Sequence, residues 1–202
     1  MRLVKALILV TVVALMVPQV AAAADTKNSF GVLLGYISPT GSSTLGGVKY
    51  EADSTMAPGL AYQYSFNEKF SLGASLLYAK YDFKMTGSGF SNEKCCDATF
   101  MPLLLDGNFH LLKNTASVDF YLGPTGGYAM WGDSKGVDGG SEKLKNNFVY
   151  GLNLGLDVPF QASWAFNAGL RYLKSKVESD EIAGDNVDVD PWILTAGVSY
   201  RF

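Results

Sequence analysis

The C-terminal segment, residues 192–202, alternates between two kinds of side chain along its whole length. Mostly large apolar residues occupy every second position: Trp192, Leu194, Ala196, Val198, Tyr200 and Phe202. The positions between them are smaller or polar on the whole, and they include Gly197 and Arg201. A period of two predicts a β-strand with one apolar face. With no later strand to pair with, this segment is expected to pair with the first strand and close a barrel without free edges.

Seven further segments have the same period of two. They are Phe30–Tyr36, Gly59–Phe66, Phe70–Leu76, Phe100–Leu111, Val118–Trp131, Phe148–Phe160 and Trp164–Tyr172. Three predicted connections are very short, near Asn67, Asn114 and Gln161. Four are long and polar, near Ser42, Ser91, Asp138 and Asp185, and the second of them is expected to cover Met85 to Asp97. Short turns at one end and long loops at the other are typical of a transmembrane β-barrel.

The polarity of the strands separates this architecture from a water-soluble barrel such as a lipocalin. A soluble barrel keeps its apolar side chains inside. The strand from Phe148 to Phe160 alone carries seven large apolar residues on one face, and a barrel of eight strands has no room for them in its lumen. In a tilted strand, this row of apolar residues would span roughly 30 Å along the barrel axis, close to the thickness of the hydrocarbon layer of a bilayer. The apolar face is therefore predicted to point outward, into lipid.

The predicted fold is all-β: an eight-stranded antiparallel up-and-down transmembrane β-barrel with short periplasmic turns and long extracellular loops. Residues 1–24 are predicted to be a signal peptide, with a basic start at Arg2 and Lys5, a short apolar run and a small-residue cleavage site at Ala22–Ala24. The barrel then covers residues 25–202. The net charge of −3 gives no sign of nucleic-acid binding.

Three short stretches resemble the OmpW family of outer-membrane proteins. The closing Asp190-Pro191-Trp192-Ile193 with Gly197 to Phe202 is similar to the end of that family's barrel. Gly35-Tyr36-Ile37-Ser38-Pro39-Thr40-Gly41 is similar to the start of its first loop, and Met101-Pro102-Leu103-Leu104 resembles its proline-bearing fourth strand. The adjacent Cys95 and Cys96 depart from the family pattern. The resemblance implies a location in the outer membrane of a Gram-negative bacterium and a porin-like passage for small hydrophobic molecules, with a lateral exit through the wall.

The alternation assigns residues to a lumen with two parts. An apolar upper lumen near the long loops is the predicted binding region for hydrophobic ligands: Leu33, Ile37, Leu77, Tyr81, Phe83, Phe100, Pro102, Leu104, Trp131, Leu173 and Ile193. A polar floor toward the short turns is predicted from Asp106, His110, Asp119, Asp157, Arg171 and Arg201. The upper part is either an open funnel or a packed plug. Charges in a narrow lumen must pair to offset desolvation, so Arg171 or Arg201 is expected to bind at least one of the three aspartates.

Pro102 cannot donate a hydrogen bond to a neighbouring strand and is expected to weaken pairing locally, and Pro39, Pro124 and Pro159 are candidates for the same effect.

Lipid-modifying barrels use histidine beside a nucleophile, but His110, the single histidine, is placed at the periplasmic end, away from the outer-leaflet lipid. No enzymatic activity and no catalytic residues are therefore predicted. Cys95 and Cys96 lie in an exported loop where a disulfide, free thiols or a bridge between chains are all open. They are a weak metal signal, so no metal or other cofactor is predicted.

The predicted function is passive uptake of small hydrophobic molecules through the apolar upper lumen. The alternative is a structural barrel, or one whose loops mediate adhesion or other interactions. The expected partners are outer-membrane lipid, small hydrophobic ligands and the outer-membrane assembly machinery, for which Tyr200 and Phe202 form the assembly signal.

Overall fold

The computed structural model describes residues 27–45, 47–87, 89–112, 118–136, 140–178 and 186–202. The predicted signal peptide, residues 1–24, and the predicted turn at Asn114 lie outside the described residues. Within these ranges, no helix has the length and apolar character needed to cross a membrane.

Fifteen strands make up the described structure. They are β1 (Asn28–Ser38), β2 (Ser42–Leu45), β3 (Val48–Ala52), β4 (Thr55–Ser65), β5 (Phe70–Leu77), β6 (Ala79–Gly87), β7 (Phe90–His110), β8 (Asp119–Trp131), β9 (Ser134–Gly136), β10 (Ser141–Glu142), β11 (Asn147–Gln161), β12 (Trp164–Lys174), β13 (Lys176–Glu178), β14 (Asn186–Asp188) and β15 (Trp192–Arg201).

Eight wall strands form a closed antiparallel barrel, as the sequence predicts. The order around the wall is β1, β4, the continuous β5 and β6, β7, β8, β11, β12 and β15. The first and last strands pair from Ser29 opposite Arg201 to Ser38 opposite Trp192. Asn28 N donates to Phe202 O at 3.1 Å, and Phe202 N donates to Asn28 O at 2.9 Å. The predicted closure by the C-terminal strand is confirmed, so each described wall strand has a neighbouring strand on both sides.

The apolar face of the wall points outward. Phe148 is 82% exposed and Leu152 67% exposed, whereas the lumen-facing Val149 and Asn153 on the same strand are buried. Aromatic residues stand at both ends of the exposed band, with Tyr36, Tyr150 and Trp192 toward the loops and Phe66, Phe160 and Phe202 toward the turns. This arrangement is that of a barrel in a bilayer, with aromatic girdles at the two interfaces.

The connections differ in length between the two ends of the barrel. At the short end, Asn67 Oδ1 accepts hydrogen bonds from Lys69 N at 2.8 Å and Phe70 N at 3.0 Å, which fixes a tight turn. The second described turn joins Gln161 to Trp164. At the other end, the wall continues into hairpins: β2 and β3 beside β6, β9 and β10 beside β7, and β13 with β14. We call these hairpins, together with the parts of β6 and β7 beyond the membrane band, the hairpin extensions.

The predicted loop from Met85 to Asp97 is wrong, because most of it is paired strand. β6 continues to Gly87 and β7 begins at Phe90, so the ladder extends beyond the membrane band. Outside lipid the outward positions carry charges instead of apolar residues, and the apolar alternation disappears although backbone pairing persists. Lys94 Nζ lies 2.7 Å from Asp82 Oδ1 across this pair of strands, and Lys80 Nζ lies 2.8 Å from Asp97 Oδ2.

Candidate functional site

The lumen is divided into an apolar cluster near the loops and a polar floor near the turns. Alternation on the wall strands places these residues, because every second residue points inward. Ten of the eleven residues predicted to line the apolar upper lumen are buried, and Leu33 is half-buried against the others. We call these eleven residues and the smaller buried residues packed among them the apolar lumen cluster. The smaller residues, which were not predicted, are Ala57, Ala79, Ala98, Ala129, Val149, Val177 and Val189. The alternation around Phe148 and Tyr150 was sufficient to place Val149 in the lumen.

Aromatic rings form the centre of the apolar lumen cluster. The ring centroids of Phe100 and Trp131 lie 4.6 Å apart, and Tyr81 stacks on Trp131 at 6.0 Å. The rings of Phe83 and Tyr81 meet edge to face, with centroids 6.2 Å apart. Trp131 Nε1 donates to Asn147 Oδ1 at 3.0 Å, which holds the indole ring in place. The cluster is packed in this conformation, so the lumen is closed near the loops by side chains that fill it.

Two ion pairs cross the polar floor. Arg171 holds Asp106 through two hydrogen bonds, from Nε to Oδ1 at 3.2 Å and from Nη2 to Oδ2 at 2.7 Å. Arg201 Nη2 lies 3.3 Å from Asp157 Oδ2, and Asn167 Nδ2 donates to Asp157 Oδ1 at 2.6 Å. The predicted pairing of lumen arginines with lumen aspartates is confirmed for both arginines.

His110 binds two side chains at the lowest level of the floor. Its Nδ1 is 2.7 Å from Asp119 Oδ2, and its Nε2 is 2.8 Å from Ser71 Oγ. Asn108 Nδ2 also donates to Ser71 Oγ, at 3.2 Å. Sequence reasoning placed His110 and Asp119 here but missed Ser71, because a serine on the inward face of a strand has no distinctive pattern.

A cavity of about 70 Å³ lies in the polar part of the lumen. Its lining includes Asp106, Asn108, Asp157 and Arg171, and Leu33 is the one member of the predicted ligand-binding set among its lining residues. Arg171 Nη1 and Asn108 Oδ1 are buried without a protein partner. A polar space of this size accommodates a few water molecules that satisfy such groups. The cavity is therefore a polar space, large enough for water, beneath the apolar lumen cluster.

The wall has a break in backbone pairing beside the apolar lumen cluster. β5 pairs with β7 up to Leu76 opposite Leu103, and β6 resumes pairing with β7 at Ala79 opposite Phe100. The register on both sides of the break is the same, so no residue is inserted. Leu77 and Tyr78 therefore lie at a gap in an otherwise continuous ladder, and we call this gap the wall seam.

Two prolines explain the wall seam. His110 N donates to Lys69 O at 2.8 Å, and hydrogen-bonded pairs recur every second residue, so the carbonyl of Leu77 faces the nitrogen of Pro102. Tyr78 N donates to Pro58 O at 2.9 Å, so the carbonyl of Tyr78 faces the nitrogen of Pro58. Proline has no N–H to donate. Two consecutive carbonyls thus lack ladder donors, one on each side of the strand, and the predicted weakening at Pro102 is confirmed.

Of the other prolines considered in the sequence, Pro124 produces a similar gap at the height of the polar floor. The ladder between β7 and β8 lacks pairs at Gly107 and Asn108, and Pro124 lies opposite Gly107. Pro159 lies at a register shift between β11 and β12, and Pro39 follows the end of β1.

No group of three or more His, Cys, Asp or Glu side chains in the described ranges is arranged to hold a metal ion. Some of the titrating groups outside the membrane band lie on the hairpin extensions. There the ammonium group of Lys80 donates to Asp97 and lowers the pKa of that carboxyl group.

A family model described as the OmpW family matches residues 35–202. A comparison with curated proteins finds no match. Among solved structures, the chain is similar to the outer membrane protein OprG from Pseudomonas aeruginosa, with 19% identity, a TM-score of 0.76, and coverage of 88% of this chain and 96% of that one. The outer membrane protein AlkL gives 20% identity, a TM-score of 0.62, and coverage of 92% and 94%. Outer membrane protein W from E. coli gives 17% identity, a TM-score of 0.57, and coverage of 90% and 100%. At these identities the structural likeness shows the fold.

Proposed function

This chain belongs to the OmpW family of bacterial outer-membrane barrels, and on that premise we propose that it passes small apolar molecules from outside the cell into the outer membrane. In this proposal a solute enters among the hairpin extensions, displaces side chains of the apolar lumen cluster and leaves sideways through the wall seam. The single observation that carries the proposal is the wall seam itself, because it is a weakly paired part of the wall between the apolar lumen cluster and lipid. Leu77 and Pro102 belong to the apolar lumen cluster, and both also lie at the wall seam.

The polar floor argues against a straight path to the periplasm for such a solute. An apolar molecule moving downward would have to separate Arg171 from Asp106 and Arg201 from Asp157. Breaking a buried ion pair leaves an uncompensated charge, which costs about 3–5 kcal/mol. A sideways exit avoids this cost, since the solute moves from an apolar cluster into the apolar interior of the bilayer.

The packed state of the apolar lumen cluster is compatible with passage. A solute that replaces a displaced side chain exchanges one apolar contact for another, so little hydrophobic free energy is lost. The seam needs few hydrogen bonds to break, because the carbonyls of Leu77 and Tyr78 face prolines. Movement of Leu77 out of the lumen therefore requires less backbone disruption than movement of a residue inside a complete ladder.

The test is uptake of an apolar dye, N-phenyl-1-naphthylamine, which fluoresces when it reaches the lipid interior, by intact cells with and without the protein. We expect faster uptake with the wild-type chain. Pro102→Ala restores a donor for the Leu77 carbonyl and is expected to slow uptake toward the level of cells without the protein. Pro124→Ala is the matched control for the backbone, because it also restores a ladder donor, at the height of the polar floor opposite Gly107, and it is expected to leave uptake unchanged. Both variants are compared at equal amounts of folded barrel in the outer membrane.

Equal uptake with and without the wild-type protein contradicts the passage proposal. It would favour the second candidate function, a barrel whose extracellular surface binds a partner. The observation behind that candidate is the charged surface of the hairpin extensions, where Lys49 pairs with Glu51 at 2.7 Å and Lys84 with Asp53 at 2.7 Å. Binding to host cells that disappears when the hairpin of β2 and β3 is shortened would support it.

We also propose that the barrel is not an enzyme. Ser71, His110 and Asp119 are connected in the same order as a serine hydrolase triad. All three are buried, and Ser71 Oγ already accepts a hydrogen bond from Asn108, which supports a structural role for the group. The purified protein is expected to remain unlabelled by a fluorophosphonate probe that reacts with activated serines, and labelling that is lost in Ser71→Ala would contradict this.

A further inference from the structure

The two cysteines lie next to each other at an irregularity in strand β7, above the membrane band. Opposite them, Phe83 pairs with Cys96 and Lys84 pairs with Lys94, so Cys95 is an extra residue with no partner across the ladder. This is a β-bulge, in which two residues of one strand oppose a single residue of the other. On its other side, Cys96 pairs with Gly136 of strand β9.

The bulge brings the two thiols together. In a regular strand, consecutive side chains point to opposite faces. Here the sulfur atoms of Cys95 and Cys96 are 3.1 Å apart, and both residues are half-buried against the apolar lumen cluster. Cys95 Sγ also lies 3.4 Å from the carbonyl oxygen of Phe83. A disulfide bond is about 2.0 Å long, so the sulfurs need to approach by roughly 1 Å.

The surroundings favour a reactive thiolate on Cys96. The Cys96 sulfur shares a hydrogen bond with the Cys95 thiol, and a hydrogen bond from Ser134 adds to the effect. Together they lower the pKa of Cys96 to about 7, against burial and the nearby carboxylates of Glu142 and Asp97, which raise it. The pKa of Cys95 is raised by the same shared hydrogen bond. A thiolate is the nucleophile in disulfide exchange, so Cys96 attacks first and Cys95 keeps its proton.

We propose that Cys95 and Cys96 form a redox site on the extracellular side of the outer membrane. Exchange with a small disulfide in solution converts the two neighbouring thiols into an intramolecular disulfide. The Cys96 thiolate attacks one sulfur of the small disulfide, forms a mixed disulfide and releases one small thiolate. Cys95 then loses its proton and attacks the Cys96 sulfur, which releases the second small thiolate. Two electrons pass from the protein to the small disulfide, which becomes two thiols once protonated. This inference does not depend on the proposed passage of apolar molecules.

Because the two cysteines are neighbours at the bulge, each thiol is expected to react with the other rather than with a second molecule. An isolated exposed thiol in an exported protein forms mixed disulfides or bridges between chains. A sulfur with a second sulfur held 3.1 Å away reacts internally instead, because the effective concentration of the second thiol is very high. The site is therefore expected to yield a monomeric oxidised protein.

The test uses the full chain, folded in detergent, reduced and then equilibrated with mixtures of reduced and oxidised glutathione. Remaining thiols are trapped with iodoacetamide, and the peptide that contains both cysteines is weighed by mass spectrometry. We expect two alkyl groups on the reduced peptide, and the loss of two hydrogens with no alkyl group on the oxidised one. The oxidised chain is expected to run as a monomer on a non-reducing gel.

The matched control is the double variant Cys95→Ser and Asp97→Cys, which keeps two adjacent cysteines but moves the pair off the bulge. Its two thiols point to opposite faces of the strand, so it is expected to give glutathione adducts or disulfide-linked dimers and no internal ring. The proposal is overturned if the wild-type chain stays doubly alkylated in oxidised glutathione, if it forms mainly adducts or dimers, or if the control variant closes its ring equally well.

Discussion

The ion pair between Arg171 and Asp106 offers a quantitative test of the polar floor. Replacing arginine with methionine keeps much of the side-chain volume and removes the charge. Arg171 donates two hydrogen bonds to Asp106, at 3.2 and 2.7 Å, and Asp106 is 4% exposed. The variant Arg171→Met therefore leaves a buried carboxylate without its cation.

The expected loss follows from this geometry. Removing one partner of a buried ion pair costs about 3–5 kcal/mol, which changes the equilibrium between folded and unfolded barrel by more than about 100-fold. Arg201→Met is the comparison variant. Asp157 keeps the amide of Asn167 at 2.6 Å when Arg201 is removed, so we expect a smaller loss of about 1–3 kcal/mol.

The assay is equilibrium unfolding in urea of the barrel folded into lipid vesicles, followed by tryptophan fluorescence and by the gel shift between folded and unfolded chain. The double variant Asp106→Asn and Arg171→Met removes both charges and is expected to recover most of the stability lost in Arg171→Met. Two results would refute the reasoning: a loss below about 1 kcal/mol for Arg171→Met, or a double variant no more stable than the single one.

Three further results are expected. Gly155→Ala should cost about 1–3 kcal/mol in the same unfolding assay, because the new methyl group would lie 2.1 Å from the ring of Tyr121, whereas Gly126→Ala meets an ordinary contact of 3.7 Å and should be nearly neutral. Deleting Phe202 removes two backbone hydrogen bonds to Asn28 and should lower the fraction of chain that resists denaturation in outer-membrane extracts; an unchanged fraction would contradict its predicted role in assembly. Alkylation of the reduced protein at Cys96 should rise as the pH passes about 7, because the thiolate forms there, and a rise only above pH 8 would show an ordinary thiol.

Where lipid contacts the chain, the fold follows closely from the sequence. The bilayer demands apolar residues on one face of every wall strand, so the period of two is nearly unbroken from Phe148 to Leu156, and the pairing of the first and last strands was predictable. The extension from Phe90 to Cys96 was not predicted as strand, because it lies beyond the bilayer and no lipid requires apolar residues at every second position there. Its pairing is maintained by backbone hydrogen bonds and cross-strand charges, which produce no periodic signal.

The sequence was sufficient to predict which residues of the site face the lumen, but not which of them contact one another. Alternation identifies Asp106 and Arg171 as lumen residues, and the cost of burying charge indicates that they pair. Which arginine meets which aspartate depends on the stagger of the strands, which only the structure defines. The same applies to Pro58. It acts at the wall seam through Tyr78, from the neighbouring wall strand, so its effect depends on register.

The hydrogen bonds between Asn28 and Phe202 have a consequence for how the protein is made. The two residues are 174 positions apart, so the first wall strand cannot complete its backbone pairing until the last wall strand has been synthesised. Until then, both carry unpaired backbone groups that invite pairing with other chains. Contacts of such long range also form slowly. A newly exported chain is therefore exposed to aggregation until the ring is complete.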